Sequence, residues 1–275
     1  MLNLDSSEIS RVVVKVGSSI LTHDTGKLNL KRINEIVTVL SDLKNSGRDV
    51  ILVTSGAVAA GMAKLGMSER PRDIRKKQAI SAVGQCSLMY IYDKMFGEYG
   101  YTVAQVLMTK EVLEHETSRT NARNTLETLL EFGTIPIVNE NDTISTYEIE
   151  SLSGFGDNDR LSAYVAVLCE ADLLIILSDI DGFYDCDPKN SEDAKLIPVV
   201  RKIDDGLRAL AGGAGKMGTG GMAAKLTAAE IAMSAGINVV ITNGAFPGNI
   251  LDICSGKLRG TLFVAPRKER NGTHD

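Results

Sequence analysis

Tryptophan is absent from this 275-residue chain, and histidine occurs only three times. Three scattered histidines are too few for a catalytic triad or a metal cluster, and no G-x-S-x-G elbow is present, so hydrolase chemistry has no support. The cysteines Cys86, Cys169, Cys186 and Cys254 form no C-x-x-C pair. Neither a zinc site nor a dithiol redox motif is indicated, and reduced thiols in a cytoplasmic protein are the simplest expectation. No apolar run approaches the roughly 18 residues of a membrane span. The first ten residues carry two acids and no basic stretch, unlike a secretory signal, which leaves the sequon at Asn271 without meaning. A basic excess is missing too: 30 Lys and Arg stand against 35 Asp and Glu, a net charge of −5. That argues against nucleic acid as a partner, while leaving room for a local basic pocket.

What is present is an ordinary apolar content and an abundance of glycine, 26 residues, which points to many tight backbone approaches. At about 150 residues per domain the length allows two domains or one large α/β domain, and it suffices for a sizeable core. Short β-branched runs at residues 12–16, 50–53, 102–107, 135–138, 173–177 and 239–242 are nearly continuous apolar stretches. Such stretches suit parallel strands covered on both faces. Between them lie helical patterns. Ile33, Ile36, Val37, Leu40 and Leu43 follow the 3.6 period before Gly47, and residues 161–168, 204–211 and 222–235 read as further helices. Alternation of strand and helix predicts a mainly parallel sheet with right-handed crossovers, whose ligands sit at the carboxyl ends of the strands.

The residues after each strand are therefore the candidates, and each has two readings. Lys15, before Gly17-Ser18-Ser19, either reaches solvent from a strand end or meets a phosphate supported by backbone N–H groups. Ser55-Gly56 is either a serine cap with a packing glycine or a carboxylate or phosphate cradle. Asn139-Glu140-Asn141-Asp142 is either an Asx-rich turn or a site holding an ammonium and a carboxylate together. In the glycine loop before residue 160, Asp159 reads as a helix N-cap; Asp157 beside it is a second cap or a carboxylate that positions lysines or a metal. Ser178-Asp179-Ile180-Asp181 fails as a calcium loop, because the twelfth position is Asn190, and reads better as a strand end holding a sugar, phosphate or base edge. The stretch GGAGKMGTGGMAAK, residues 212–225, contains a formal G-x-G-x-x-G, but no strand precedes it and no acid follows at the required distance. No P-loop motif occurs either; what remains is an anion cradle or a surface loop, with Lys225 one turn into a helix. The basic run Arg70, Arg72, Arg75, Lys76 and Lys77 reads as a solvated face or an intersubunit contact, with a substrate role the lesser expectation.

Taken in order, the segments VVVKVGSS, VTSGAVAAG, AVGQ, NARNT, IPIVNENDT, GDNDRLSA, LSDIDGFYDCDP, GTGGMAAK and GTLFVAP run from Val12 to Pro266. With this set the chain resembles the amino acid kinase family, in its glutamate-phosphorylating branch, over nearly its whole length. The resemblance implies a three-layer α/β/α sandwich around a mainly parallel sheet. It implies ATP and Mg2+ as cofactors, and phosphorylation of the γ-carboxylate of L-glutamate as the first step of proline biosynthesis. One domain over residues 1–266 is expected, with an acid-substrate half to about residue 170, a nucleotide half beyond it, and a mobile tail at 267–275. The resemblance makes Lys15 and Lys225 phosphate-binding, and Ser55, Asp142 and Asn158 glutamate-binding. It assigns ATP to Ser178 and Asp179 and to Thr219, Gly220, Gly221, Met222, Ala223, Ala224 and Lys225. It makes Asp157 the organiser of the lysines, with Asp159 assisting it or facing the metal. Homo-oligomers and feedback inhibition by proline are further expectations from the family.

Two departures from the family pattern stand out. Many members carry an RNA-binding-type PUA domain after the kinase domain, and this chain is expected to be a form without it. Many also carry a lysine shortly before the GDND segment, whereas residues 150–155 here contain none. A sibling kinase acting on another carboxylate or phosphate acceptor, and a silent sensor of amino acid or nucleotide, are the competing readings. The retained Lys15, Asp157 and Lys225 argue against the sensor.

Overall fold

All six expected apolar runs form strands of one sheet. The computed structural model describes residues 4–145, 158–188, 191, 193–212 and 221–266. In chain order the elements are β1 (Arg11–Val16), α1 (Ser18–Leu21), α2 (Leu30–Asn45), β2 (Asp49–Val53), α3 (Ala57–Lys64), α4 (Ile74–Gly97), β3 (Val103–Met108), α5 (Lys110–Glu114) and α6 (Glu116–Glu131). There follow β4 (Ile135–Glu140), α7 (Asn158–Leu168), β5 (Leu173–Ser178), β6 (Val199–Val200), α8 (Asp205–Leu210), α9 (Met222–Ser234), β7 (Asn238–Asn243), α10 (Asn249–Cys254) and β8 (Thr261–Phe263). The sheet has eight strands in the order β3-β4-β2-β1-β5-β7-β8-β6. Every pairing is parallel except β7 with β8. The short strands β6 and β8 escape sequence reading, because two or three residues show no period.

Side chains alternate across a strand, so β1 feeds two cores. Val12, Val14 and Val16 pack on one side with Ile33 and Leu40 of α2, Leu88, Tyr92 and Phe96 of α4 and Ile250 of α10. Val13 packs on the other side with Leu126 of α6, Leu161 and Val165 of α7 and Leu226 and Ala229 of α9. These layers make the α/β/α sandwich. Lys15 shares the face of Val13 and therefore looks toward α7 and α9. The helices start at identifiable caps. Asn29 Oδ1 accepts from Arg32 N at 3.0 Å to open α2, and Asp73 Oδ1 accepts from Arg75 N at 2.8 Å to open α4. Gly47, at φ +87°, takes the left-handed turn after α2.

Helices α3 and α4 meet backbone to backbone through two glycines. A Cβ on Gly84 would lie 1.7 Å from the Ala57 carbonyl oxygen, and one on Gly61 would lie 2.0 Å from the Ile80 carbonyl oxygen. No rotamer change relieves a clash with backbone, so the helices would have to separate. Gly84→Val is expected to cost at least about 3 kcal/mol, at or beyond the upper end for overpacked cores. Urea unfolding checks this, and a midpoint within error of wild type would contradict the close crossing.

Candidate active site

The carboxyl ends of β1, β2, β4 and β5 converge on the first turns of α1, α3, α7 and α9. Parallel strands of matched register bring this about. Lys15 lies opposite Val53 of β2 and Ile176 of β5, and the Thr54 amide continues the ladder to Val138 at 2.9 Å.

At the centre stand three buried charges. Lys15 Nζ lies 2.5 Å from Asp159 Oδ1, and Lys225 Nζ lies 3.0 Å from Asp159 Oδ2. Asp159 is fully buried, and Lys15 and Lys225 are 5% and 7% exposed. Burial pushes the Asp159 carboxyl up, but the two ammonium groups more than reverse it and hold it below the usual carboxylate range. Two ammonium groups thus share this carboxylate, in a place largely closed to solvent. Lys15 Nζ would lie 3.2 Å from a Cβ on Gly17, so the absent side chain leaves room over the ammonium at the start of α1. Lys225 sits in the first turn of α9, whose N-cap Gly221 makes no side-chain capping bond. Backbone N–H groups at such an end favour an anion.

Asp159 is thus not the N-cap expected from the sequence. It lies in the first turn of α7 and pairs with both lysines. Asp157, Thr219 and Gly220 lie outside the described residues, as do the rest of the glycine loop at 213–220, the stretch 150–155 and the tail 267–275. Gly221, Met222, Ala223, Ala224 and Lys225 form the cap and first turn of α9. Ser178 ends β5 and is buried, with its hydroxyl 3.4 Å from Asp179 Oδ1.

Beside the charged cluster lies a chain of amides. The two hydrogens of Asn158 Nδ2 are shared among Thr54 O at 2.7 Å, Ser55 Oγ at 2.8 Å and Asn139 Oδ1 at 3.0 Å. Asn139 Oδ1 also accepts from Glu140 N at 2.9 Å, and Asn139 Nδ2 donates to Gln85 Oε1 at 2.9 Å. Ser55 is therefore not the serine cap of α3: Gly56 takes the cap position at φ +100°, a left-handed conformation that glycine adopts without strain. Asp142 accepts from Ser81 Oγ at 2.6 Å. Burial raises the Asp142 carboxyl, and the Ser81 hydroxyl and the Arg70 charge pull it partly back. Arg70, from the basic run, thus acts on Asp142 through its charge, while Arg75 pairs locally with Asp73 at 3.2 Å. Asn139 belongs to the candidate turn 139–142, whereas sequence reading missed Gln85 as a site residue, although it falls inside a quoted motif.

Other groups stay away from this chemistry. His23 and His115 are exposed, as expected. All four cysteines are free, and burial pushes the Cys254 thiol up to about 11 and the Cys169 thiol up to about 12. Among the described residues no group of three or more His, Cys, Asp or Glu side chains could hold a metal ion. No helix among them is long and apolar enough to cross a membrane.

The chain, with Lys15 at a strand end and Asp159 and Lys225 in the facing helix turns, matches the amino acid kinase family model over residues 10–243 and belongs to that family. Within it, the chain is 54% identical to the glutamate 5-kinase of Clostridium perfringens over 260 residues, 94% of this chain and 97% of that protein. It is 51% identical to the glutamate 5-kinase of Listeria innocua over 267 residues, 96% of this chain and 97% of that one. Two solved structures share the fold at low identity. An isopentenyl phosphate kinase matches at TM-score 0.64 and 17% identity, covering 92% of this chain and all of that one. The UMP kinase of Ureaplasma parvum matches at TM-score 0.63 and 16% identity, covering 93% of this chain and 99% of that one.

Proposed function

We propose that this chain phosphorylates the γ-carboxylate of L-glutamate with ATP, giving L-glutamyl 5-phosphate, the first step of proline biosynthesis. Two buried lysines on one carboxylate carry the reading, together with relatives named for this reaction at about half identity over nearly the whole chain. The acceptor carboxylate is ionised at neutral pH, its ordinary pKa being about 4.3, so the reaction needs no general base. The work left to the protein is to bring two anions together in line and to neutralise charge on the transferred group. Lys15 and Lys225 supply that charge, and Asp159 holds both ammonium groups within one hydrogen-bonded unit. The first turn of α9, with Ser178 and Asp179, forms the nucleotide side. Ser55, Asp142 and Asn158 form the acid side, which is why residues up to about 170 are read as the acid half and later ones as the nucleotide half.

The described residues do not by themselves fit a protein-held magnesium ion, since Asp159 is already engaged by two lysines. Mg2+ is read as arriving on the nucleotide, and no step is routed through it. A cytoplasmic location, assembly into homo-oligomers and inhibition by proline complete the reading.

The deciding experiment traps an acyl phosphate as its hydroxamate, with ATP and glutamate, aspartate or N-acetylglutamate. Product with glutamate alone supports the reading. Product with another acid keeps the phosphoryl site and moves the acid pocket to a sibling activity. ATP binding without product from any acid favours a sensor. A second expected result concerns Asp142. Asp142→Asn should raise the KM for glutamate about tenfold or more, on the scale of a lost charged hydrogen bond, with KM for ATP little changed. Equal effects on both would assign Asp142 to folding instead.

A further inference from the structure

The amide chain beside the lysines has only one consistent orientation. The Glu140 backbone N–H can only donate, so the carbonyl end of Asn139 must face it. The Thr54 carbonyl can only accept, so the NH2 end of Asn158 must face it. These two backbone groups leave Asn139 Nδ2 pointing at Gln85, which must answer with Oε1. Gln85 Nε2 then points away, and it is buried without a hydrogen-bond partner among the described residues. Gln85 itself is 8% exposed, on the inner face of α4.

A buried donor without an acceptor is destabilising, and a methionine of similar length would avoid it. The other end of the same side chain explains why an amide stands there. Gln85 Oε1 is the acceptor given for Asn139 Nδ2. Asn139 Oδ1 in turn holds Asn158, and Asn158 Nδ2 holds Ser55 Oγ. With its oxygen accepting from Asn158, the Ser55 hydroxyl is left to donate its own hydrogen, and Asn158 Oδ1 is left to accept.

We propose that Gln85 is a positioning residue of the acid pocket: through Asn139 it fixes the orientation in which Asn158 and Ser55 meet an amino-acid substrate. This rests on the glutamate reading above. A donor from Ser55 suits a substrate carboxylate, and an acceptor on Asn158 suits a substrate ammonium.

Steady-state kinetics with Gln85→Met, Asn139→Ala and the double variant test it, with wild type alongside. Gln85→Met should raise the KM for glutamate at least tenfold while KM for ATP stays within twofold. In the Asn139→Ala background the same change should add less than twofold, because the route through Asn139 is already cut. A glutamate KM within twofold of wild type in Gln85→Met overturns the proposal, as does a further tenfold rise in the Asn139→Ala background. If Gln85→Met does not fold, Gln85→Glu decides. It keeps an acceptor oxygen toward Asn139, so a glutamate KM within threefold of wild type supports positioning and a tenfold rise overturns it. Wild type that makes no glutamyl phosphate overturns the substrate reading itself, and this inference with it.

Discussion

Replacing Lys225 with alanine is expected to lower kcat by about 10²–10³-fold, equivalent to roughly 2.7–4 kcal/mol of transition-state stabilisation. The fold should survive. Asp159 keeps its pairing with Lys15 at 2.5 Å, so a buried ion pair remains in place. On the proposed reading the loss falls on the chemical step, since Lys225 would meet charge that develops in the phosphoryl transfer. Steady-state kinetics at saturating glutamate and ATP, with a thermal melt, measure both halves. A soluble variant with near-normal kcat would sink the assignment. Arginine should not restore activity, since a planar guanidinium does not fit a site where the lysine is 7% exposed.

The second large effect lies on the shared carboxylate. Asp159→Ala removes the carboxylate that two buried ammonium groups share. Breaking a buried ion pair from one side costs about 3–5 kcal/mol. That is a large part of the roughly 5–15 kcal/mol that stabilises a typical domain. Asp159→Ala should therefore be less stable than Lys225→Ala in urea, although both lose activity. The reverse order would mean that the lysines do not depend on this carboxylate. The pH dependence follows from the direction of the shift. The folded pKa of Asp159 lies below its unfolded value, ordinarily about 3.9. Its stabilisation is thus fully present above that value and is lost as pH falls through it toward the folded pKa. Melting temperature should fall on acidification below about pH 4 more steeply in wild type than in Asp159→Asn. Parallel curves would remove Asp159 from the acid transition.

Much of this protein follows from local pattern. The six long strands are apolar runs, and an apolar run covered on both faces reads the same wherever it lies in the sheet. Lys15 declared itself because a charge in a valine-rich strand demands an explanation, and Lys225 because a glycine loop opened its helix. Strand periodicity also places Lys15 on the face of Val13, and so toward α7 and α9.

Only the tertiary structure decided the rest. Asp159 looked like a helix cap, since a carboxylate in a glycine loop caps helices by default. Its engagement by lysines 144 and 66 residues away in the chain is a long-range fact that no local pattern carries. The cap position before α3 passed from Ser55 to Gly56 because Asn158 claims the serine hydroxyl from another part of the chain. At Gly61 and Gly84 no local pattern announces that two helix backbones meet across them. Gln85 carries no signal beyond its motif, because its role depends on which way Asn139 points. That in turn is settled by one backbone N–H, at Glu140. Local patterns specify which elements form, since propensity and burial act over a few neighbouring residues. Which side chains share a hydrogen bond is settled only when the sheet brings strand ends from distant parts of the chain together.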